Sequence, residues 1–171
     1  MKEGDWAVVT VETPVGDMWL AAEPQGVVAS GWTRLEPAPG ERERTMGGDA
    51  LEVAEWAAAE LRRYFAGELR SFSVPLAPRG TAFQRAVWDA LRSIPFGERV
   101  AYRDIAAAVG RPQAVRAVGQ ANRANPLPVF IPCHRVVGAD GRLVGYAGAN
   151  VDLKAWLLHH EANVLRAQAM A

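Results

Sequence analysis

The chain holds a single cysteine, Cys133, and it is followed directly by His134 and Arg135 inside the apolar run PLPVFIPCHRVVG at 126–138. A thiol beside an imidazole and a guanidinium can do nucleophilic chemistry. The imidazole can take the thiol proton, and a nearby cation lowers a thiol's pKa. Against this stands the plainer reading that a free cysteine in an apolar strand is a small core residue. What sets this one apart is the cost of placing two polar groups among Val, Phe and Ile. Neighbouring side chains on an extended segment point to opposite faces, so a working Cys–His pair needs a bend or a bridging water. The acid that could complete a Cys–His–acid relay is Glu161, read as lying in the last turn of a closing helix. A carboxylate there opposes the helix dipole, which favours a specific partner over plain surface exposure. One cysteine excludes an internal disulfide and a multi-cysteine zinc site, and His134, His159 and His160 leave little for a metal cluster. The sequence therefore points to no metal and no cofactor.

The elements that must position these groups fall into two halves. The first reads as short strands, WAVVTVETP (6–14), DMWLAAEP (17–24) and GVVASGWT (26–33), separated by turn signals. A polar loop at 35–49 precedes a helix at 50–69, with Leu51, Ala54, Ala58, Leu61 and Phe65 at helical spacing and Gly67 as its stop. SFSVPLAPRG (71–80) reads as a linker. The second half is mainly helical. Thr81 and Gln84 form a capping box opening a helix at 81–94, faced by Phe83, Val87, Leu91 and Ile94. PFGERV (95–100) turns into a short extended piece, YRDIAAAVG (102–110) is a short helix ended by Gly110, and Pro112 suits the first turn of a helix running to about Asn125. A short helix, a glycine turn and an arginine-bearing helix make a helix-turn-helix pattern, which also occurs as an ordinary helical hairpin. Residues 126–138 read as buried and extended. Asp140-Gly141 reads as a turn into a short strand and a glycine-rich loop, and Leu153, Trp156, Leu157 and His160 form one face of the closing helix.

Chain length and charge bound the function further. With 171 residues, half of them hydrophobic, the chain can build one core or two small ones. No stretch reaches the roughly 18–20 apolar residues of a membrane span, and acids interrupt the N-terminus where a signal peptide would be apolar, so a cytoplasmic location is expected. Net charge is zero but unevenly spread: residues 1–78 sum to −6 and residues 79–171 to +6. Seven arginines lie at 99–142 against Asp104 and Asp140. Such asymmetry fits a polyanion partner for the second half, or a solvated basic face.

Residues 81–161 closely resemble the catalytic domain of O6-alkylguanine–DNA alkyltransferases. The resemblance rests on IPCHRVV (131–137), RAVGQANRANPLPV (116–129), GYAG (145–148) and WLLHHE (156–161). The first half is similar to that family's small ribonuclease-H-like domain in length and element order. The implied fold is α/β, of the α+β kind: a ribonuclease-H-like domain at 1–78, then a mainly helical winged helix-turn-helix domain at 79–171. The implied partner is double-stranded DNA carrying O6-alkylguanine, with O4-alkylthymine as the alternative lesion. The implied reaction flips the damaged base out and moves its alkyl group irreversibly to the protein's own cysteine. The protein would act in the cytoplasm as a monomer, alone or in several copies along DNA.

Carried over residue by residue, Cys133 takes the place of the nucleophile, His134 of the base acting through water, and Glu161 of the carboxylate that orients it. Asn125 resembles the asparagine tying the recognition helix to the active-site turn. Tyr102 matches the tyrosine at the target phosphate and flipped base, and Arg116 the arginine filling the gap in the stack. Ala114, Ala117, Gly119 and Ala121 are the small residues that let the recognition helix approach the minor groove, with Arg123 beside them. Tyr146, Ala147 and Gly148 belong to the binding loop, and Val136 and Ala147 would offer backbone groups to the base. Three departures stand out. Ala149-Asn150 replaces a frequent Gly-Leu pair, Gln120 and Asn122 occupy variable positions of the recognition helix, and residues 1–78 lack the Cys and His ligands of zinc-bearing members. Competing readings are a non-catalytic lesion sensor, which lacks the cysteine, a helix-turn-helix regulator, which needs an effector domain, and a cysteine hydrolase, which needs an oxyanion hole.

Overall fold

The computed structural model describes residues 5–33, 48–144 and 151–171 and divides the chain into two compact units, Met1–Arg79 and Gly80–Ala171. The first unit is built on an antiparallel sheet of β1 (Ala7–Val11), β2 (Met18–Glu23) and β3 (Gly26–Trp32), with β2 central. Helix α1 (Gly48–Phe65) packs on β1 and β2 and covers one face. Val8, Trp19, Ala21 and Val28 form a second small cluster with Trp6, Ala29 and Ala77. Burial on both faces explains why β2 carries an apolar run instead of an alternating pattern. Gly31 is required by this packing, since a Cβ there would come within 2.7 Å of the Trp19 ring. Gly67 ends α1 as expected, with φ 78° and the Glu68 amide returning to the Arg63 carbonyl at 2.9 Å.

The stretch expected to be a linker is built into this unit. Buried Glu60 accepts from the amides of Ser73 (3.0 Å) and Val74 (2.7 Å) and from the Ser73 hydroxyl (2.9 Å). Beyond it, the Val27 amide donates to the Pro75 carbonyl and the Ala77 amide to the Val27 carbonyl, closing a bridge onto β3. One buried carboxylate, placed by α1, thus fixes the segment that sequence composition left open.

The second unit opens with α2 (Ala82–Arg92), whose N-terminus has the capping box of Thr81 and Gln84. Helices α3 (Tyr102–Ala108) and α4 (Val115–Arg123) pack on α2 and on each other across the turn at Gly110. A short parallel pair joins β4 (Val100–Ala101) to β5 (Val136–Val137). The closing helix α5 spans Val151–Ala169. Four expectations change. Helix α4 starts at Val115, because residues 111–114 form a turn closed by the Ala114 amide on the Arg111 carbonyl at 2.9 Å, so Pro112 precedes the helix. The segment around Cys133 is buried but not extended: Cys133–Arg135 form a 3-10 turn. Residues 142–144, expected as a strand, follow the turn at Gly141 as irregular backbone, with the Arg142 carbonyl accepting from the Gly138 amide at 2.8 Å. And α5 continues eight residues past Glu161, which removes the helix-end argument for that carboxylate. Its buried face is Leu153, Lys154, Leu157, Leu158 and Glu161, while Trp156 and His160 are half-buried and stack on one another. No helix among the described residues is long and apolar enough to cross a membrane.

Candidate active site

Prolines at 126, 128 and 132 deny this stretch three backbone donors, so side chains must hold it. Asn125, just past α4, does so from both ends. Its amide nitrogen donates to the Ile131 carbonyl and its oxygen accepts from the Leu127 amide, each at 2.9 Å. Between them Val129 sits at φ 75°, a left-handed conformation that a β-branched residue rarely adopts. The segment then tightens into the 3-10 turn, with the Arg135 amide on the Pro132 carbonyl at 3.0 Å. This is the bend that an extended reading of 126–138 lacked. Asn122, on the inner face of α4, donates to the Cys133 carbonyl at 3.4 Å, and its own oxygen is buried with no hydrogen-bond partner among the described residues.

The turn places His134 and Arg135 against one carboxylate. Glu161, fully buried, receives His134 Nε2 at 2.6 Å, Arg135 Nε at 2.9 Å, Arg135 Nη2 at 3.0 Å and the Gly97 amide at 2.9 Å. Arg135 also donates to the Ile94 carbonyl at 2.7 Å and lies 5.6 Å from the Phe96 ring centre. Burial pushes the Glu161 carboxyl up, but His134 and then Arg135 overcome it and hold it below the usual carboxylate range. Burial lowers the His134 pKa, opposed by the Glu161 hydrogen bond and charge. A charged Glu161 accepting from Nε2–H makes Nδ1 the basic nitrogen of the neutral ring.

Cys133 is buried, and burial pushes its thiol up to about 11, against the Asn125 side chain and the Lys154 charge. The cations next to it in sequence do not lower it as expected, because His134 and Arg135 spend their donors on Glu161. The cation that does act on the sulfur is Lys154. It is fully buried, donates to the Val144 carbonyl at 2.9 Å, and lies 5.8 Å from the Tyr102 ring centre. Burial brings its pKa down to about 8, with Cys133 opposing. The sequence reading passed over Lys154, the bonding of Arg135 to Glu161 and the inward role of Asn122. A signal for Lys154 was present: it precedes Glu161 by two helical turns, on the apolar face of the same helix.

A cleft of about 380 Å³ lies beside the turn, lined by Tyr102, Val115, Arg116, Gly119, Gln120, Arg123 and Val144. Arg116, Ala117, Gln120 and Arg123 are exposed on the outer face of α4, Ala114 and Gly119 are half-buried, and Ala121 faces inward, its carbonyl accepting from Trp88 Nε1 at 2.8 Å. Ala121 is therefore packing rather than surface. Tyr102 lines the cleft: burial raises its hydroxyl pKa, the Cys133 charge adds to that, and Arg123 and Asn122 oppose. Val136 is fully buried and pairs with Val100 in the parallel ladder. Tyr146, Ala147, Gly148 and the Ala149-Asn150 pair lie outside the described residues.

A lone thiol on a strained turn, an adjacent His–Glu pair and an arginine-bearing helix along a cleft have counterparts in known proteins. The profile "6-O-methylguanine DNA methyltransferase, DNA binding domain" matches residues 82–163, and its "ribonuclease-like domain" matches residues 8–78. The chain is 48% identical over 158 residues to the constitutive methylated-DNA–protein-cysteine methyltransferase of Bacillus subtilis, covering 89% of this chain and 93% of that one. It is 41% identical over 163 residues to the Salmonella typhimurium protein, covering 91% and 95%. Among solved structures, Mycobacterium tuberculosis O6-methylguanine methyltransferase superposes with a TM-score of 0.81 at 39% identity, covering 92% of this chain and 93% of that one. The same organism's protein in complex with DNA gives 0.80 at 39% identity, covering 93% of each. The chain belongs to the 6-O-methylguanine DNA methyltransferase family.

Proposed function

We propose that this chain repairs alkylated DNA as a methylated-DNA–protein-cysteine methyltransferase, taking the alkyl group of O6-alkylguanine onto Cys133 in a single turnover. The observation that carries the reading is the geometry behind the thiol: a lone cysteine on a turn whose next residue is already bonded to a buried carboxylate. Burial pushes the resting thiol up to about 11, so at neutral pH it is held protonated and needs a base. His134 supplies it, taking the proton at Nδ1, directly or through water, while Glu161 stabilises the imidazolium. The thiolate attacks the alkyl carbon, the C–O6 bond breaks, and its electron pair stays on the base. The proton returns to the purine. The net exchange leaves alkyl on sulfur and hydrogen on guanine. A thioether has no easy leaving path, so the protein is consumed, which also separates this reading from a cysteine hydrolase.

Access to the lesion requires flipping, because the alkylated oxygen lies inside the duplex. Tyr102 is well placed for the rotated phosphate and the extruded base, since it lines the cleft and the Cys133 charge bears on its hydroxyl. Arg116, exposed on α4, fills the vacated stack, with Ala114, Ala117 and Gly119 allowing close approach and Arg123 contacting phosphate. The binding domain is 79–171, with net charge +6, and domain 1–78, at −6, gives the polyanion no electrostatic attraction. A lesion sensor without chemistry would use the same cleft but has no use for the thiol and its His–Glu pair. Incubation with O6-methylguanine DNA followed by intact-mass and peptide analysis tests the reading: one methyl, about 14 Da, on the Cys133 peptide and no second turnover are expected for sulfur as nucleophile. No added mass, or mass on another residue, overturns it.

A further inference from the structure

The closing helix sends two charges into the site. Glu161 serves His134 and Arg135; Lys154 reaches the Val144 carbonyl at the wall of the cleft, beside the Tyr102 ring. Burying an ammonium completely is costly, and a lysine beside a surface usually extends its amine to water. Here the amine instead ends on the Val144 carbonyl, at the wall of the cleft, beside the Tyr102 ring. A staple for Val144 needs only a donor, which a neutral side chain could provide. Besides the Tyr102 ring it faces, that charge bears on the Cys133 sulfur.

We infer that Lys154 is a positioning residue for alkyl transfer: it fixes the Val144 wall of the cleft and holds a positive charge at the Cys133 thiolate as it forms. The inference rests on the reading of Cys133 as the acceptor. Other charged or titratable groups around this pair are Tyr102 from α3, Arg123 from α4, His134 and Arg135 from the turn, and Glu161 from α5 itself. Of these, His134 and Arg135 are engaged by Glu161, and Arg123 bears on Tyr102. Lys154 keeps its charge at neutral pH, since its pKa lies near 8. Its proximity therefore favours the thiolate in the range where repair operates, and loses that effect as pH rises through 8.

Because Cys133 is the only cysteine, the thiolate available near pH 7 can be followed in the full chain by the rate at which iodoacetamide carbamidomethylates it, read by intact mass, with Cys133→Ala as the blank. Lys154→Met removes charge and donor, Lys154→Gln removes charge but keeps a donor, and Lys154→Arg keeps charge. At pH 7, where Lys154 carries its charge, Met and Gln are expected to slow this reaction about 10-fold, the effect of losing one nearby opposite charge, while Arg stays within about threefold of the parent. Transfer from free O6-benzylguanine should slow in the same order. If Met does not fold, Gln decides. A Gln variant with the parent's iodoacetamide and transfer rates reduces Lys154 to a staple and overturns the inference. The iodoacetamide reaction uses no alkylated DNA, so it is independent of whether the parent acquires a methyl from DNA; failure of the latter refutes the proposed function instead.

Discussion

Glu161→Gln separates what holds the site together from what makes it react. The carboxylate takes four donors, two of them from Arg135, and the His134 and Glu161 side chains are closed to bulk water. A glutamine has the same shape but keeps one acceptor and turns the other oxygen into a donor facing N–H groups. Arg135 then retains the Ile94 carbonyl and the Phe96 ring as its remaining described contacts. Removing one partner of a buried pair costs about 3–5 kcal/mol. At roughly 2–4 °C per kcal/mol for a chain of this size, the melting temperature should fall by about 6–20 °C. Adding Arg135→Met removes the stranded charge, and since an apolar replacement of a buried pair is often near neutral, the double variant should recover to within about 1–2 kcal/mol of the parent. The rate should not recover with it: His134 still lacks its carboxylate, so transfer stays slower by roughly 10²–10⁴-fold, as for His134→Ala. Denaturant unfolding and single-turnover transfer, measured on the same four proteins, decide the matter. A Glu161→Gln cost below about 1 kcal/mol refutes the structural half of this reasoning; a double variant that regains both stability and rate refutes the catalytic half.

The pH dependence follows with its sign. The folded Glu161 pKa lies below its unfolded value of 4.5, so its contribution is complete above 4.5 and lost as pH falls through the folded pKa. His134 is also lowered from 6.5, so protonation below 6.5 favours the unfolded chain. The parent should lose melting temperature from pH 7 downward, and Glu161→Gln should lack the limb below 4.5. In repair of duplex DNA, Arg116→Ala should slow transfer strongly but leave reaction with free O6-benzylguanine nearly unchanged, because only the duplex requires extrusion at a few kcal/mol; Tyr102→Phe should show a milder version, and a constant duplex-to-free-base ratio would make Arg116 an electrostatic anchor only. DNA affinity should weaken steeply with salt and be lost with arginines of 99–142 rather than with acids of 1–78; a salt-independent affinity contradicts the placement of the binding face.

Local pattern made most of the elements readable. The capping box at Thr81, the glycine stop of α1 and the three strands follow from chain-local chemistry and recur in the structure. What could not be read were the places decided by a distant partner. Residues 71–80 look like a linker because nothing in them announces that Glu60, eleven or more positions earlier, will bind their backbone. The 126–138 segment looks extended because its residue types favour strands. Its turn is set by Asn125 reaching forward to Ile131 and by the forced geometry at Val129.

The same distinction explains which parts of the candidate site were legible. Cys133, His134, Asn125 and Glu161 were found through motif resemblance, and the structure does bring the last three into hydrogen-bonded contact with the turn or with one another. Their electrostatics could not be read from adjacency. Sequence neighbours suggested that His134 and Arg135 would lower the thiol pKa, yet both turn to Glu161 and burial raises it instead. The charge that bears on the sulfur comes from a helix some twenty residues away, at Lys154. Helix α5 therefore does more than close the fold. With Leu153, Leu157 and Leu158 supplying the apolar seat, it carries an anion bonded to His134 and a cation bearing on Cys133 two turns apart. The two charges must not collapse onto each other across a low-dielectric site. The spacing along α5, together with the Val144 carbonyl holding one and Arg135 the other, keeps them apart.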